Sequence, residues 1–301
     1  MKVFVVVATK GRAAETSILM DFLERQTMLA SRIVAVGTCS QDLDGLEQHS
    51  LSRSEVVKQI VSDRAGSSVQ RNVGVAWVLE NEADVDDALF VFFDDDFRPE
   101  RHWLECCRAQ FFENADLIGL TGHVLLDGAR SGGVSELEAN QALENFVRMG
   151  SKGAGRLSDC FSLYGCNMAL RASIFRAHSF DENLPLYGWM EDLDLSRRAV
   201  ENGGRLASSG ACIGVHLGAQ RGRTSGFRFG YSQVANPIYI CFQGRLSVFC
   251  AASFVLRPFA SNLIRCFRNE KHDYRGRLKG NLIAFLDVLS GKSSPLRILD
   301  F

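Results

Sequence analysis

Short apolar runs alternate with amphipathic stretches through the first two thirds of the chain. Val3 to Ala8 is continuous in apolar character and rich in β-branched residues, which predicts a buried strand. Ile18, Leu19, Phe22 and Leu23 follow at helical spacing, Ile33 to Val36 forms a second apolar run, and Val69 to Leu79 is again helical. Ala88 to Phe93 is apolar throughout and ends abruptly in three aspartates, and Leu117 to Leu126 reads as another strand. A short strand is expected near Cys160–Tyr164, with one helix after Arg171 and another after Glu191. This alternation predicts an α/β fold with a mainly parallel central sheet flanked by helices. Ligands in such sheets sit beyond the carboxyl ends of the strands, so chemistry is expected just after Ala8, Val36 and Phe93.

The pattern changes near Pro237. Leu246 to Leu256 is apolar over eleven residues, bracketed by Arg245 and Arg257, short of the roughly 20 that span a bilayer. Ile264, Phe267, Leu282, Phe285, Leu286 and Leu289 continue apolar faces. Arg265, Arg268, Lys271, Arg275, Arg277 and Lys279 are interleaved with them. The expected organisation is a main domain over residues 1–228 and a basic, amphipathic helical extension over 229–301. Residues 1–237 carry a net charge of −7 and residues 238–301 a net of +6. Such helices lie on an anionic membrane surface or pack as a pair on the protein's own body. Between the regular elements, Gly150 to Gly155 reads as a glycine-rich loop, either a lid or a plain connector.

Composition narrows the classes. The hydrophobic content of 46% and charged content of 23% are ordinary for a soluble α/β protein, and a net charge of −1 offers nothing to nucleic acid. The nine cysteines are scattered without a Cys-x-x-Cys pair, poor material for a disulfide framework or a zinc site. Met1 and Lys2 lead directly into the first strand-like run, which is too short for a secretory h-region. A cytoplasmic protein is expected, at the cytoplasmic face of the membrane if the basic extension meets lipid.

Candidate chemistry gathers at two acidic clusters and one histidine. Asp94-Asp95-Asp96 leave the end of an apolar strand, and alternation along an extended segment lets Asp94 and Asp96 share a face while Asp95 points away. Adjacent anions repel unless a cation sits among them, and oxygen ligands suit Mg²⁺ or Mn²⁺ better than zinc. The competing reading is a solvated acidic turn capping a helix that starts near Pro99. Glu191, Asp192 and Asp194 stand at a second helix start. They serve either as anions in a favoured first turn or as a carboxylate that takes a proton from a hydroxyl. His216 lies in an apolar strand-like run, Ile213 to Leu217, where core histidine and metal ligand both remain open.

Taken together these segments resemble the family 2 glycosyltransferases of the GT-A fold, over roughly residues 2–220. The opening strand and its loop imply that Thr9 and Arg12 line a nucleotide pocket. Val69-Gln70-Arg71-Asn72-Val73-Gly74 is similar to the family's Arg-Asn-x-Gly segment, with Arg71 approaching the nucleotide or its phosphates. Asp94-Asp95-Asp96 with trailing Pro99 resembles the Asp-x-Asp metal motif: Asp94 and Asp96 toward metal and diphosphate, Asp95 toward ribose or sugar. Asn167, in Gly165 to Arg171, falls near sugar and acceptor. Gly188-Trp189-Met190-Glu191-Asp192 resembles the Glu-Asp motif, whose aspartate is the usual base, with Glu191 and Arg197 orienting it or binding hydroxyls. Trp189 offers a ring to a sugar face or fills the core. His216 falls where galactofuranosyl- and rhamnosyltransferase-like members place a third metal ligand. After Val36, where many members carry an aspartate for the nucleobase, this chain has Thr38 and Ser40. That leaves a UDP-sugar as first choice of donor and a dTDP-sugar as second.

The resemblance implies an inverting, metal-dependent transfer to a hydroxyl of a saccharide or lipid-linked acceptor, with Mn²⁺ or Mg²⁺ as cofactor. Two other readings stand beside it. A non-catalytic relative that binds nucleotide-sugar or glycan has no need of Asp192. A sugar-nucleotide synthesising nucleotidyltransferase needs a glycine-rich opening loop, and Ala8 to Arg12 contains only Gly11.

Overall fold

The structure is a computed structural model describing residues 1–150, 156–219, 221, 224–267 and 272–301, with Arg130 and Asn202 described along the main chain only. Most of the glycine-rich loop, residues 151–155, lies outside the described residues, as do Arg268 and Lys271 of the basic extension. The chain divides into two compact units. The first gathers residues 1–65, 69–179 and 199–222; the second gathers 66–68, 180–198 and 223–301.

In chain order the elements are β1 (Val3–Ala8), α1 (Ala13–Glu24), β2 (Arg32–Gly37), the single turn α2 (Ser50–Arg53), β3 (Val57–Val61), α3 (Ser67–Asn81), β4 (Leu89–Asp94) and β5 (Phe97–Pro99). There follow α4 (Trp103–Glu113), β6 (Leu117–Asp127), the short α5 (Gly128–Ser131), α6 (Glu136–Met149), β7 (Leu157–Asp159), β8 (Asn167–Arg171), α7 (Glu191–Ala199) and β9 (Arg205–His216). Helices α8 (Gly226–Phe242), α9 (Val248–Arg265) and α10 (Tyr274–Leu289) complete the chain, with a final 3₁₀ turn over Pro295–Asp300.

The first unit is built on one curled sheet in the order β3-β2-β1-β4-β8-β6-β9-β5, with β7 added against β9. β1 pairs in parallel with β2 and β4, and β2 with β3. The other half is mixed: β8 runs antiparallel to β4 and β6, β9 runs parallel to β6, and β5 runs antiparallel to β9. Val3 to Val7 are all buried, as expected for a central strand covered on both faces. Leu19, Met20 and Leu23 of α1 and Trp103, Leu104 and Phe111 of α4 supply apolar side chains to the same core.

Two local expectations change. Residues 160–164 form no strand; β7 and β8 flank them. The Cys160 N–H still donates to Leu206 O of β9, but the Tyr164 N–H donates to the Thr121 hydroxyl instead of a sheet ladder. The helix expected near Pro99 begins four residues later, at Trp103, and Pro99 itself stays in the sheet. That residue ends β5, which pairs with β9 alone, the edge position where proline's missing N–H is tolerated. The three aspartates thus join two strands and cap no helix.

Gly74, within α3, shows how closely helix and sheet approach in the first unit. A Cβ there would stand 2.5 Å from Val6 Cγ1 in the centre of β1. Gly74→Ala raises helix propensity by about 1 kcal/mol but overpacks a dense core, which typically costs about 1–3 kcal/mol. Urea unfolding should therefore show a lower midpoint for Gly74→Ala at unchanged m-value; a raised midpoint would mean that the helix stands off the sheet.

Candidate functional site

The site in the first unit follows from strand register. Asp94 ends β4, and its N–H donates to Cys166 O at 3.2 Å. The chain turns through Asp95 and Asp96 and re-enters the sheet as β5, where Phe97 stands opposite His216. Stacked Phe93 and Phe97 rings, 5.3 Å between centroids, brace this turn from below. The pairing delivers a histidine 120 positions later in the chain to the side of Asp96. Ligand-capable atoms of Asp94, Asp96 and His216 lie within 4.8 Å of one another.

Each side chain in the cluster has a defined state. Asp96 Oδ2 accepts the Ala219 N–H at 2.6 Å. Asp96 Oδ1 is buried and makes no hydrogen bond, although His216 Nε2 stands 3.3 Å away. That Nε2 is also 3.9 Å from Asp94 Oδ2. The other ring nitrogen, Nδ1, lies 3.1 Å from Asp127 Oδ1, and the Tyr164 hydroxyl donates to Asp127 Oδ2 at 3.1 Å. A carboxylate facing Nδ1 requires the proton there, which directs Nε2 toward Asp94 and Asp96. Two carboxylates, one of them offering a buried oxygen that makes no hydrogen bond, and one imidazole are a donor set that fits Mn²⁺ or Mg²⁺.

Two arginines neutralise the rest of the acidic turn. Arg12 Nη1 donates to Asp95 Oδ1 at 2.7 Å and lies 3.7 Å from Asp96 Oδ2, while its other nitrogens donate to Ala219 O and Arg221 O. Arg71, buried in α3, donates from Nη2 to Asp94 Oδ1 at 3.0 Å and to Gly165 O at 3.1 Å. Burial pushes the Asp95 carboxyl up to about 7 against the pull of Arg12. Burial acts the same way on Asp96, but His216, Arg12 and the Ala219 N–H outweigh it and hold that carboxyl well below its ordinary value. Burial also works against the Arg12 cation, which Asp95, Asp96 and Asp94 nevertheless keep above the usual guanidinium range.

The loops after β1 and β2 are tied together by Asp42. Its carboxylate accepts the Gly11 N–H at 2.6 Å and both the N–H and the hydroxyl of Thr38 at 2.7 Å. Burial opposes this charge, but these donors hold the Asp42 carboxyl below its ordinary range. The Thr38 hydroxyl therefore spends its proton on Asp42 and is left as an acceptor. Thr9 is buried and takes a hydrogen bond from Thr16, and Gln70 Nε2 ties Thr9 O to Val36 O. Asn167 is fully buried, its amide oxygen accepting from Thr121 at 2.9 Å.

The second unit holds Trp189, Glu191, Asp192 and Arg197. Glu191 and Asp192 open α7, and the Asp192 Oδ1 takes the Leu193 N–H at 2.7 Å. Acids in the first turn and Arg197 and Arg198 in the last match the helix dipole. The chain reaches this helix through strained backbone: Leu186, Gly188 and Met190 have φ of 60°, 64° and 75°. At Leu186 and Met190 such conformations each cost on the order of 1–3 kcal/mol, and strain of this kind concentrates at functional sites. Buried Asp194 is clamped by Arg198 at 2.7 Å and Arg245 at 2.6 Å, which fixes the helix start within this unit. Trp189 is half-buried, with Phe229 edge-on at 6.0 Å, and its carbonyl accepts from Asn236.

No family model matches the chain, and no curated protein sequence does either. Solved structures do match. TarS from S. aureus superposes with a TM-score of 0.55 at 16% identity, over 90% of this chain and 44% of TarS. Its 1–349 fragment in complex with UDP gives 0.55 at 16%, over 89% of this chain and 72% of the fragment. GalNAc-T7 with UDP, GalNAc and Mn²⁺ gives 0.58 at 13%, over all of this chain and 56% of GalNAc-T7. The fold is that of the GT-A glycosyltransferases. The chain spans less than half the length of full TarS.

On this GT-A scaffold, Arg12, Arg71, Asp94, Asp95, Asp96 and His216 converge in the first unit. Strand-end position pointed to Arg12 and the aspartates, and the resemblance pointed to Arg71 and His216. Asp42, Asp127 and Tyr164 escaped sequence reasoning. Asp127 follows an apolar run just as Asp94 does, and that repeat was the available signal. A cavity of about 370 Å³, lined in part by Phe22, Pro99, Leu143 and Val147, includes none of the clustered acids.

The cluster makes a pH prediction. Burial disfavours charge on His216, but Asp127, Asp96 and Asp94 outweigh it and raise the imidazole to about 10. A folded-state pKa above the unfolded 6.5 gives stability that is complete below pH 6.5 and lost as pH rises through about 10. Thermal unfolding of the metal-free protein should show Tm falling across that window, with a flatter profile in His216→Gln. Parallel profiles would contradict the assignment.

Proposed function

We propose that the chain is an inverting glycosyltransferase that moves a sugar from a nucleotide diphosphate, UDP first and dTDP second, to a hydroxyl of a saccharide or lipid-linked acceptor. The observation that carries this reading is the meeting of Asp94, Asp96 and His216 around Asp96 Oδ1, a buried oxygen that makes no hydrogen bond, on a GT-A sheet. Neighbours on that fold have been captured with UDP, UDP-GlcNAc and Mn²⁺. When bound, Mn²⁺ or Mg²⁺ supplies Lewis-acid stabilisation of the departing diphosphate.

The chain's own residues have distinct tasks in this reading. Asp94, Asp96 and His216 hold the cation, and Asp127 with Tyr164 keeps the His216 ring oriented. Arg12 and Arg71 offset the charge of the acidic turn and lie where phosphate oxygens arrive. Asp95 holds Arg12 in place. Thr9 and Thr38 shape the loops that meet the nucleotide, with Asp42 as their tie. Asp192 accepts the acceptor's hydroxyl proton as oxygen attacks the anomeric carbon. The bond to the diphosphate oxygen breaks on the opposite face and the configuration inverts. Glu191 and Arg197 orient that carboxylate or the sugar hydroxyls, and Trp189 belongs to the acceptor side. Asn167, expected there too, is fully buried and supports the site from within the core.

Asp192→Asn should lower turnover on the order of 10²–10⁴-fold while titration calorimetry still records UDP binding with Mn²⁺. Asp96→Ala should abolish the Mn²⁺-dependent part of that binding. Normal transfer by Asp192→Asn would remove it as the base. Labelled UDP-sugars incubated with the wild-type protein should show slow donor hydrolysis. Binding without hydrolysis would favour a non-catalytic relative, and pyrophosphate release from UTP and a sugar phosphate would favour a nucleotidyltransferase.

A further inference from the structure

The three C-terminal helices pack around a buried apolar cluster that includes Val234, Val255 and Ala284. Buried amides lie beside it. Asn262 of α9 and Asn281 of α10 are 1% and 0% exposed. The Asn262 amide donates to Gln233 Oε1 of α8 and to Asn281 Oδ1, both at 2.8 Å, and Asn281 donates to Gly230 O at 2.6 Å. Close approach of α8 and α10 rests on small residues: a Cβ on Gly230 would collide with Arg277 O, and one on Gly280 with Phe227 O. These glycines belong to two Gly-x-x-x-Gly repeats, Gly226 to Gly230 and Gly276 to Gly280.

Their outer surface is apolar. Phe249, Ala252, Leu256, Ala260 and Leu263 of α9, with Phe267 just beyond its end, repeat at three- and four-residue spacing and are all exposed, Phe249 at 89% and Phe267 at 81%. Leu282, Leu286 and Leu289 make a shorter exposed stripe on α10, Leu289 at 85%. The two helices touch through Phe259 and Phe285, whose rings meet edge-on at 5.3 Å. Exposed Arg257 borders the first stripe, and exposed Arg275 and Lys279 continue the second toward the start of α10. Contiguous exposed apolar surface marks a contact site. Small residues and buried amide bonds between helices, with apolar side chains turned outward, are the packing that a lipid surround favours.

We propose that the outward face of α9 and α10 seats in the interfacial layer of an anionic lipid bilayer. Charge selects the occupant. Residues 238–301 carry a net of +6, and basic residues beside an apolar helix face favour acidic headgroups, each contributing on the order of 1 kcal/mol near the surface. No helix among the described residues is long and apolar enough to cross a membrane, so the helices lie along the surface. This docking is independent of the transfer chemistry.

Co-sedimentation of the full chain with vesicles tests it. Binding is expected to phosphatidylcholine vesicles containing phosphatidylglycerol, weaker to phosphatidylcholine alone, and reduced by salt. Phe249→Glu, Leu256→Glu and Leu263→Glu together should cut the bound fraction at least about tenfold with an unchanged far-UV circular dichroism spectrum. Undiminished binding by that variant overturns the proposal. So does a lipid-free dimer that the variant abolishes, combined with no vesicle binding, since the face then serves a second copy. If the variant does not fold, hydrogen exchange of the wild-type chain decides: vesicle-induced protection over 248–267 and 282–289 supports the proposal, and unchanged exchange there overturns it.

Discussion

Three carboxylates leave the end of one buried strand in consecutive positions, and most of the first unit's local structure answers their mutual repulsion. Two unit charges about 4 Å apart repel by on the order of 4 kcal/mol in surroundings of intermediate polarity. The ligand-capable atoms of Asp94, Asp96 and His216 lie within 4.8 Å of one another. Arg71 takes Asp94, Arg12 takes Asp95, and His216 with the Ala219 N–H takes Asp96. One buried oxygen of Asp96 remains without a hydrogen bond. In the proposed function a divalent cation completes this arrangement and stabilises the departing diphosphate.

The same constraint explains why distant segments are needed. Arg12 comes from the loop after β1, Arg71 from α3 and His216 from the last strand of the sheet. Around them, Asp42 fastens the loops after β1 and β2 to one another, and Asp127 holds the His216 ring from behind. In the second unit the buried clamp of Asp194 by Arg198 and Arg245 keeps the first turn of α7 in place despite strained backbone immediately before it. Rigid support of this kind limits the reorganisation a reaction must bring about.

Much of this was legible in the residues. The apolar runs at Val3–Ala8, Ile33–Val36 and Ala88–Phe93 announced the parallel half of the sheet, because strands buried on both faces leave little alternation to misread. The acids after Phe93 pointed to the cluster that the strands assemble. His216 was open until resemblance singled it out, since its approach to Asp96 depends on the pairing of β5 with β9, and β5 is only three residues long. Asp127 was hidden for a related reason: it meets His216 through an irregular register between β6 and β9. Which apolar stripe of α9 faces outward was hidden as well. Apolar residues occur around much of α9, so only packing shows which stripe turns outward.

The most direct test is anomalous diffraction from crystals grown with UDP and Mn²⁺. A manganese peak in contact with both Asp96 Oδ1 and His216 Nε2, with the diphosphate on its open side, is the predicted result. Bound UDP with no peak there, or manganese seated on other residues, would contradict the account.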